Sequence, residues 1–215
     1  MAKEKKAFLK GSTLGEKWQY FKDYYMKATI LIVIVAALLV GLVRDVRKGS
    51  RDCIFYGLVV NNYTDVSDAF RDDFITYAGL DDEKYNIIID TTMQINIDGL
   101  DEMSTNYMQE IIAIASTKKQ DVFLADAQII EYYGDAEYIV DIRAYLSEEV
   151  LAPYEDQFYY REDADGNEVP VGIIVEDSPK LQEFGMYENQ PPIFSVVYMA
   201  PDVENIQAFL AYLYE

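Results

Sequence analysis

The 215-residue chain has no histidine, one cysteine and one tryptophan. Without histidine there is no Ser/His/Asp or Cys/His nucleophilic site, and the commonest zinc ligand is missing. A lone Cys53 can form neither an intrachain disulfide nor a thiolate zinc cluster, so the fold must be held by its core. No G-x-G-x-x-G follows the first strand-like run, and neither a P-loop nor a G-x-S-x-G elbow occurs. Carboxylate-only chemistry survives on composition, but abundance is not a constellation, and the chain is read as a non-enzyme without a cofactor.

One long hydrophobic run is present, in "MKATILIVIVAALLVGLVRDVRKGS", residues 26–50. Its uncharged part, residues 28–43, is sixteen residues long, about 24 Å of helix, slightly short of a hydrocarbon core of roughly 30 Å. Lys27 and Arg44 can snorkel, and Tyr24, Tyr25 and Met26 lengthen the apolar cylinder. Trp18, Tyr20 and Phe21 stand where an aromatic belt and a surface-lying amphipathic turn are expected. No A-x-A cleavage pattern separates the run from the charges at Arg44–Arg51, which disfavours a removed signal. The run is apolar on all sides, which disfavours a soluble core helix. The reading is a transmembrane helix at 28–43, between a basic and aromatic segment at 1–27 and a basic linker at 44–52, with one domain at 53–215.

Seven lysines in residues 1–27, against four Lys/Arg just after the run, place the N-terminus in the cytoplasm and the domain outside. Residues 1–52 hold 11 basic and 5 acidic residues, net +6; residues 53–215 hold 7 and 33, net −26. So acidic a domain is repelled by nucleic acid and by anionic membrane faces, and is suited to cations or basic partners. The partners expected are the lipid bilayer through 28–43 and a membrane protein or a second copy, with no nucleic acid.

The domain alternates strand and helix. "CIFYGLVV" (53–60) is β-rich, "VSDAFRDDFITYAGL" carries Val66, Phe70, Phe74 and Tyr77 near one helical face, and "YNIIID" (85–90) is the next strand. Leu100, Met103, Tyr107, Ile111 and Ile114 follow a 3.6-residue period, and "DVFLAD" (121–126) reads as a buried strand. A third helical region, "VDIRAYLSEEVLAPYEDQFYY", is interrupted by Pro153; "YYREDADGNEVPVGIIV" is a hairpin, "PPIFSVVYMAP" a strand, and the last helix is capped by Asp202. The fold class expected is α/β: three layers around a mostly parallel sheet, joined late by a hairpin or reversed strand.

In open α/β sheets ligands sit beyond the carboxyl ends of the strands. That rule selects Asn61 and Asn62 after the first strand, Asp90, Thr91 and Thr92 after the second, and Asp126 and Gln128 after the third, with Tyr132 and Tyr133 following. Such amides, acids and tyrosines suit a polar or cationic solute, although Asn, Asp and Thr also serve as caps and turn-formers at such junctions. "DADGNE", Asp163–Glu168, invites a calcium reading, but its glycine comes too early for an EF-hand loop, and a polar turn is the simpler account.

From "KQDVFLADAQIIEYYGDAEYIVDIRAYL" onward the sequence resembles the first lobe of bacterial extracellular solute-binding proteins of ABC importers. In that family a strand ending in aspartate leads to a helix, a glycine-bearing phrase and another helix; the phrase here is "GDAEYIVDI", Gly134 to Ile142. "VPVGIIVEDSPKLQEFG" and "APDVENIQAFLAYLYE" resemble further segments, so the likeness covers residues 53–215. A complete protein of that family closes two lobes on its ligand, whereas this chain has room for one and lacks the lipoprotein cysteine. The apolar run followed by a small domain is similar to single-pass proteins of Firmicutes with no assigned chemistry. The resemblance implies a membrane-anchored, solute-binding-like lobe that takes a small polar ligand or a partner at its strand ends. The alternative is an accessory subunit that uses the fold without a ligand.

Overall fold

The computed structural model describes residues 13–49, 51–134, 138–163, 166–187 and 190–215. Its contacts separate two compact units, Met1–Ser50 and Arg51–Glu215.

The first unit contains helices α1 (Leu14–Tyr24) and α2 (Met26–Gly49). Helical bonding passes through the residue between them: the Tyr25 N–H donates to the Phe21 carbonyl and its own carbonyl accepts from Thr29, both at 2.8 Å. The β-branched residues Ile30, Ile32, Val33, Ile34 and Val35 weaken helix propensity in water, yet the helix is unbroken there. Ile30 through Val35 are all 46–67% exposed, and six consecutive residues at about 100° each pass round the whole cylinder. The apolar surface is therefore bare on every side. Among the described residues no helix is long and apolar enough to cross a membrane. The unbroken stretch of α2 with described side chains, Thr29–Gly41, is 13 residues, about 20 Å. The span expected at 28–43 thus lies within α2 without reaching that length among described residues.

The second unit runs β1 (Cys53–Val60), α3 (Ser67–Ala78), β2 (Asn86–Met93), α4 (Glu102–Ser116), β3 (Val122–Ala125) and α5 (Ala127–Gly134). There follow α6 (Glu148–Leu151), β4 (Phe158–Glu162), β5 (Glu168–Ile174), α7 (Pro179–Glu183), β6 (Ile193–Val196) and α8 (Val203–Leu213). The α/β class is as expected. The six strands lie in the order β2-β1-β3-β6-β5-β4. β1 pairs in parallel with β2 and β3, while β3–β6, β6–β5 and β5–β4 are antiparallel. The sheet is therefore mixed, which corrects the expectation of a mostly parallel one.

The cause is local. A parallel neighbour needs a crossover, usually a full helix, and only β1-α3-β2 and β2-α4-β3 have one. The third helical region breaks around Pro153 into a 3-10 turn at Ile142–Ala144, the one-turn α6 and a second 3-10 stretch, Ala152–Gln157. Its terminal aromatics, Phe158 to Tyr160, enter β4 instead. Around Gly166, at φ 79°, the hairpin turns with Asn167 donating to the Asp163 carboxylate at 2.8 Å. β6 then returns between β3 and β5.

The core has two sides. Phe55 of β1 meets Phe74 at 4.9 Å and Phe209 at 5.0 Å between ring centres, and Tyr212 lies 5.4 Å from Phe74, so α3 and α8 cover one face. Leu58 alternates to the other face, and its register partner Phe123 packs against Tyr133 at 5.5 Å and Tyr138 at 5.4 Å. Asp101 caps α4 and Asp202 caps α8, accepting from Ser104 at 2.7 Å and Asn205 at 3.3 Å.

Candidate functional site

Strand order 2-1-3 places a reversal of winding between β1 and β3, whose carboxyl ends define the crevice where open α/β sheets take ligands. Asn61 follows β1 in left-handed backbone, φ 62°. This conformation aims its side chain across the crevice. Its Nδ2 donates to the Ile95 carbonyl at 3.1 Å and to Asp126 Oδ2 at 2.6 Å, while its Oδ1 accepts from the Ile95 N–H at 2.7 Å. Asp126 also accepts from the Ile129 N–H at 3.1 Å, capping the first turn of α5. Both residues are buried and engaged.

Tyr187 closes the crevice from above. Its hydroxyl lies 2.5 Å from the carbonyl of Val60, the last residue of β1, and 2.9 Å from that of Leu124, the last but one of β3. Burial raises its phenol well above the usual range, helped by the neighbouring Asp126 carboxylate, so it stays protonated and donating. Tyr187 also has positive φ, 55°. Left-handed backbone costs a non-glycine residue about 1 kcal/mol or more, and here it recurs on both sides of one crevice.

Beside this plug lies a cavity of about 140 Å³, walled by Asn62, Tyr63, Thr64, Gly185, Tyr187 and Gln190. Asn62 is 1% exposed; its Nδ2 donates to the Thr64 carbonyl at 2.5 Å and its Oδ1 has no hydrogen-bond partner among the described residues. An unmatched buried amide oxygen costs about 1–3 kcal/mol. Thr64 pins the opposite wall by donating to the Gly185 carbonyl at 3.2 Å. A larger space of about 490 Å³ shares Gly185, Tyr187 and Gln190 and adds the exposed acids Glu176 and Asp177.

The structure brings Asn61, Asn62 and Asp126 together. Asp90, Thr91 and Thr92 belong to β2 itself rather than to the loop after it, because the strand continues to Met93. Thr91 is buried and its hydroxyl meets Ser67 at 2.9 Å, while Asp90 accepts from the Thr92 N–H at 2.9 Å. Gln128 is exposed on the first turn of α5. Tyr132 is exposed and Tyr133 buried near the far end of that helix, where Tyr133 packs on Phe123 and its hydroxyl has no hydrogen-bond partner among the described residues. The two tyrosines are thus separated from Asp126 by the length of α5. Sequence reasoning misses Tyr187, because nothing near it in the chain marks a residue that will bond to β1 and β3.

Of the Asp163–Glu168 turn, Asp163 spends its carboxylate on Asn167, and Asp165 lies outside the described residues. Among the described residues no three His, Cys, Asp or Glu side chains gather to hold a metal ion. Burial pushes the Cys53 thiol up, opposite to what a nucleophile requires. No protein-family model, curated protein or solved structure matches the chain.

Proposed function

We propose that the protein is a membrane-anchored, solute-binding-like domain that takes a small, donor-rich polar solute in the groove beside Tyr187. The observation that carries this is the buried Asn62 amide oxygen, which has no hydrogen-bond partner among the described residues and belongs to a residue that lines a cavity at the carboxyl end of β1. An ammonium or amide N–H would satisfy it, and the carboxylates of Glu176 and Asp177 along the adjoining space favour a cationic group. The domain's net charge of −26 acts in the same direction over longer range. Helices on both faces and winding reversed at β1/β3 support the likeness to one lobe of a binding protein. With a single lobe the solute is held on fewer sides, and affinity is modest.

Anchoring rests on α2. Bare Ile, Leu and Val side chains around its whole circumference would be costly in water, at about 25 cal/mol per Å². In sequence, Ala28, Leu42 and Val43 extend the described stretch to the sixteen-residue uncharged run, and snorkelling by Lys27 and Arg44 covers the shortfall. Lysine excess before the run puts the N-terminus in the cytoplasm and residues 53–215 outside.

The test is thermal denaturation of the full chain in detergent with ammonium, methylamine, polyamines, amino acids and small amides. At least one is expected to raise Tm, and Asn62→Leu to remove the effect; no response across the panel overturns the reading. A second reading, an accessory subunit without a ligand, draws on Tyr187 itself, which fills the crevice where a solute-binding lobe would hold its ligand.

A further inference from the structure

At the ends of β1 and β3 several acceptors face one donor. The carbonyl oxygens of Val60 and Leu124 converge on the Tyr187 hydroxyl, at 2.5 Å and 2.9 Å. A hydroxyl carries one proton, so Tyr187 can donate to only one of the two at a time. The Asp126 carboxylate stands close enough to disfavour ionisation of the same phenol. Asn61 adds no free N–H, because its Nδ2 is engaged by both the Ile95 carbonyl and Asp126 Oδ2. On the adjoining wall, the buried Asn62 Oδ1 is a further acceptor with no hydrogen-bond partner among the described residues. A primary ammonium, with three N–H donors and a positive charge, matches two carbonyls and a carboxylate better than a phenol does. Tyr187 is also placed to leave. It walls both the cavity of about 140 Å³ and the space of about 490 Å³, so its ring adjoins volume into which it can rotate.

We propose that Tyr187 is a built-in competitor, its hydroxyl standing in for the primary ammonium group of a ligand that displaces it from the Val60 and Leu124 carbonyls and from beside Asp126. The proposal rests on the solute-binding reading and deepens it: the ligand's anchoring group is an ammonium, and the plug sets its affinity. Apparent affinity falls in proportion to the fraction of molecules in which the site is open. A latch of one net hydrogen bond favours the closed form about tenfold. Removing the hydroxyl therefore tightens binding by about that factor.

The full chain in detergent, labelled with meta-fluorotyrosine, would be followed by fluorine NMR, the Tyr187 resonance being the one missing from Tyr187→Phe. Methylammonium is expected to move that resonance toward the position of free fluorotyrosine. Tetramethylammonium, which has the charge but no N–H, should leave it in place. In calorimetric titrations Tyr187→Phe should bind methylammonium about tenfold more tightly than the parent, and Asp126→Asn about tenfold more weakly. Tyr187→Gly removes the whole plug and suits the left-handed backbone at φ 55°, so it should tighten binding at least as much. If that variant does not fold, the resonance and Tyr187→Phe decide alone. A raised Tm with a stationary resonance puts the solute beside the plug, which overturns the proposal and leaves the solute-binding reading standing. Equal effects of the two ions show attraction by charge alone and overturn the ammonium assignment. Binding to Tyr187→Gly alone establishes the ammonium site but overturns displacement of the plug by ligand. Binding to none of the three proteins overturns both the proposal and the reading beneath it.

Discussion

Asn61 and Asp126, 65 residues apart, are joined by a 2.6 Å hydrogen bond that ties the end of β1 to the end of β3. The same carboxylate caps α5. Asp126→Ala therefore removes a helix cap and a buried acceptor together, and is expected to destabilise the domain by about 1–3 kcal/mol. Urea denaturation with and without solute would check it. A variant of unchanged stability would show that neither bond matters to the fold. Asn62→Leu is the cleaner probe of binding, because it leaves this tie intact.

Tyr187→Phe deletes only the hydroxyl that bridges toward the Val60 and Leu124 carbonyls. The expected cost is again about 1–3 kcal/mol, read as a lower urea midpoint at unchanged slope. If a solute enters the crevice itself, the variant should bind it more tightly than the parent. If the solute sits only beside the plug, affinity should hardly change.

Asp121 introduces a pH dependence from the opposite end of the sheet. Burial pushes its carboxyl up to about 7, against the pull of N–H donors from Tyr56 and Asp202, and the Asp202 carboxylate pushes in the same direction as burial. An unfolded aspartate titrates near 3.9. Between about pH 4 and 7 the folded chain thus holds a proton that the unfolded chain has released, so this group makes stability fall as pH rises through that window and has no further effect above it. Urea midpoints should drop from pH 5.5 to pH 8, and Asp121→Asn should flatten the slope. An unchanged slope in the variant would assign the dependence to other acids.

Gly172 of β5 lies tightly against β6. A Cβ there would stand 2.5 Å from Ile193 Cγ2 and 2.7 Å from the Phe194 carbonyl oxygen. Since one neighbour is backbone, Gly172→Ala is expected to cost about 1–3 kcal/mol through overpacking. Differential scanning calorimetry would register the lowered Tm.

Among the described residues, all buried members of the hydrophobic core lie between Phe55 and Leu213. Removal of residues 1–50 should leave a fragment with the same cooperative unfolding transition as the full chain in detergent. A broadened or absent transition would mean that the first unit contributes to the fold of the second.

Much of this arrangement was legible in the chain. The bounds of β1, the apolar period of α4, the Asp202 cap and the turn around Gly166 depend on residues a few positions apart, and periodicity and turn chemistry report such neighbours directly. The clustering of Asn61, Asn62 and Asp126 followed from strand order, which alternation of strand and helix suggests. β2 ran past its expected end because Thr91 and Thr92 suit a strand as well as a turn.

By itself the sequence determined that the domain is α/β, lacks histidine chemistry and follows an uncharged apolar run at residues 28–43. Only tertiary structure decided that the sheet is mixed and that its winding reversal is occupied, since Tyr187 reaches β1 across 127 residues of chain. Local preference sets which residues extend or coil. Which edge a returning strand joins, and which side chain fills the gap it leaves, is set by long-range packing and by the need to satisfy buried carbonyls.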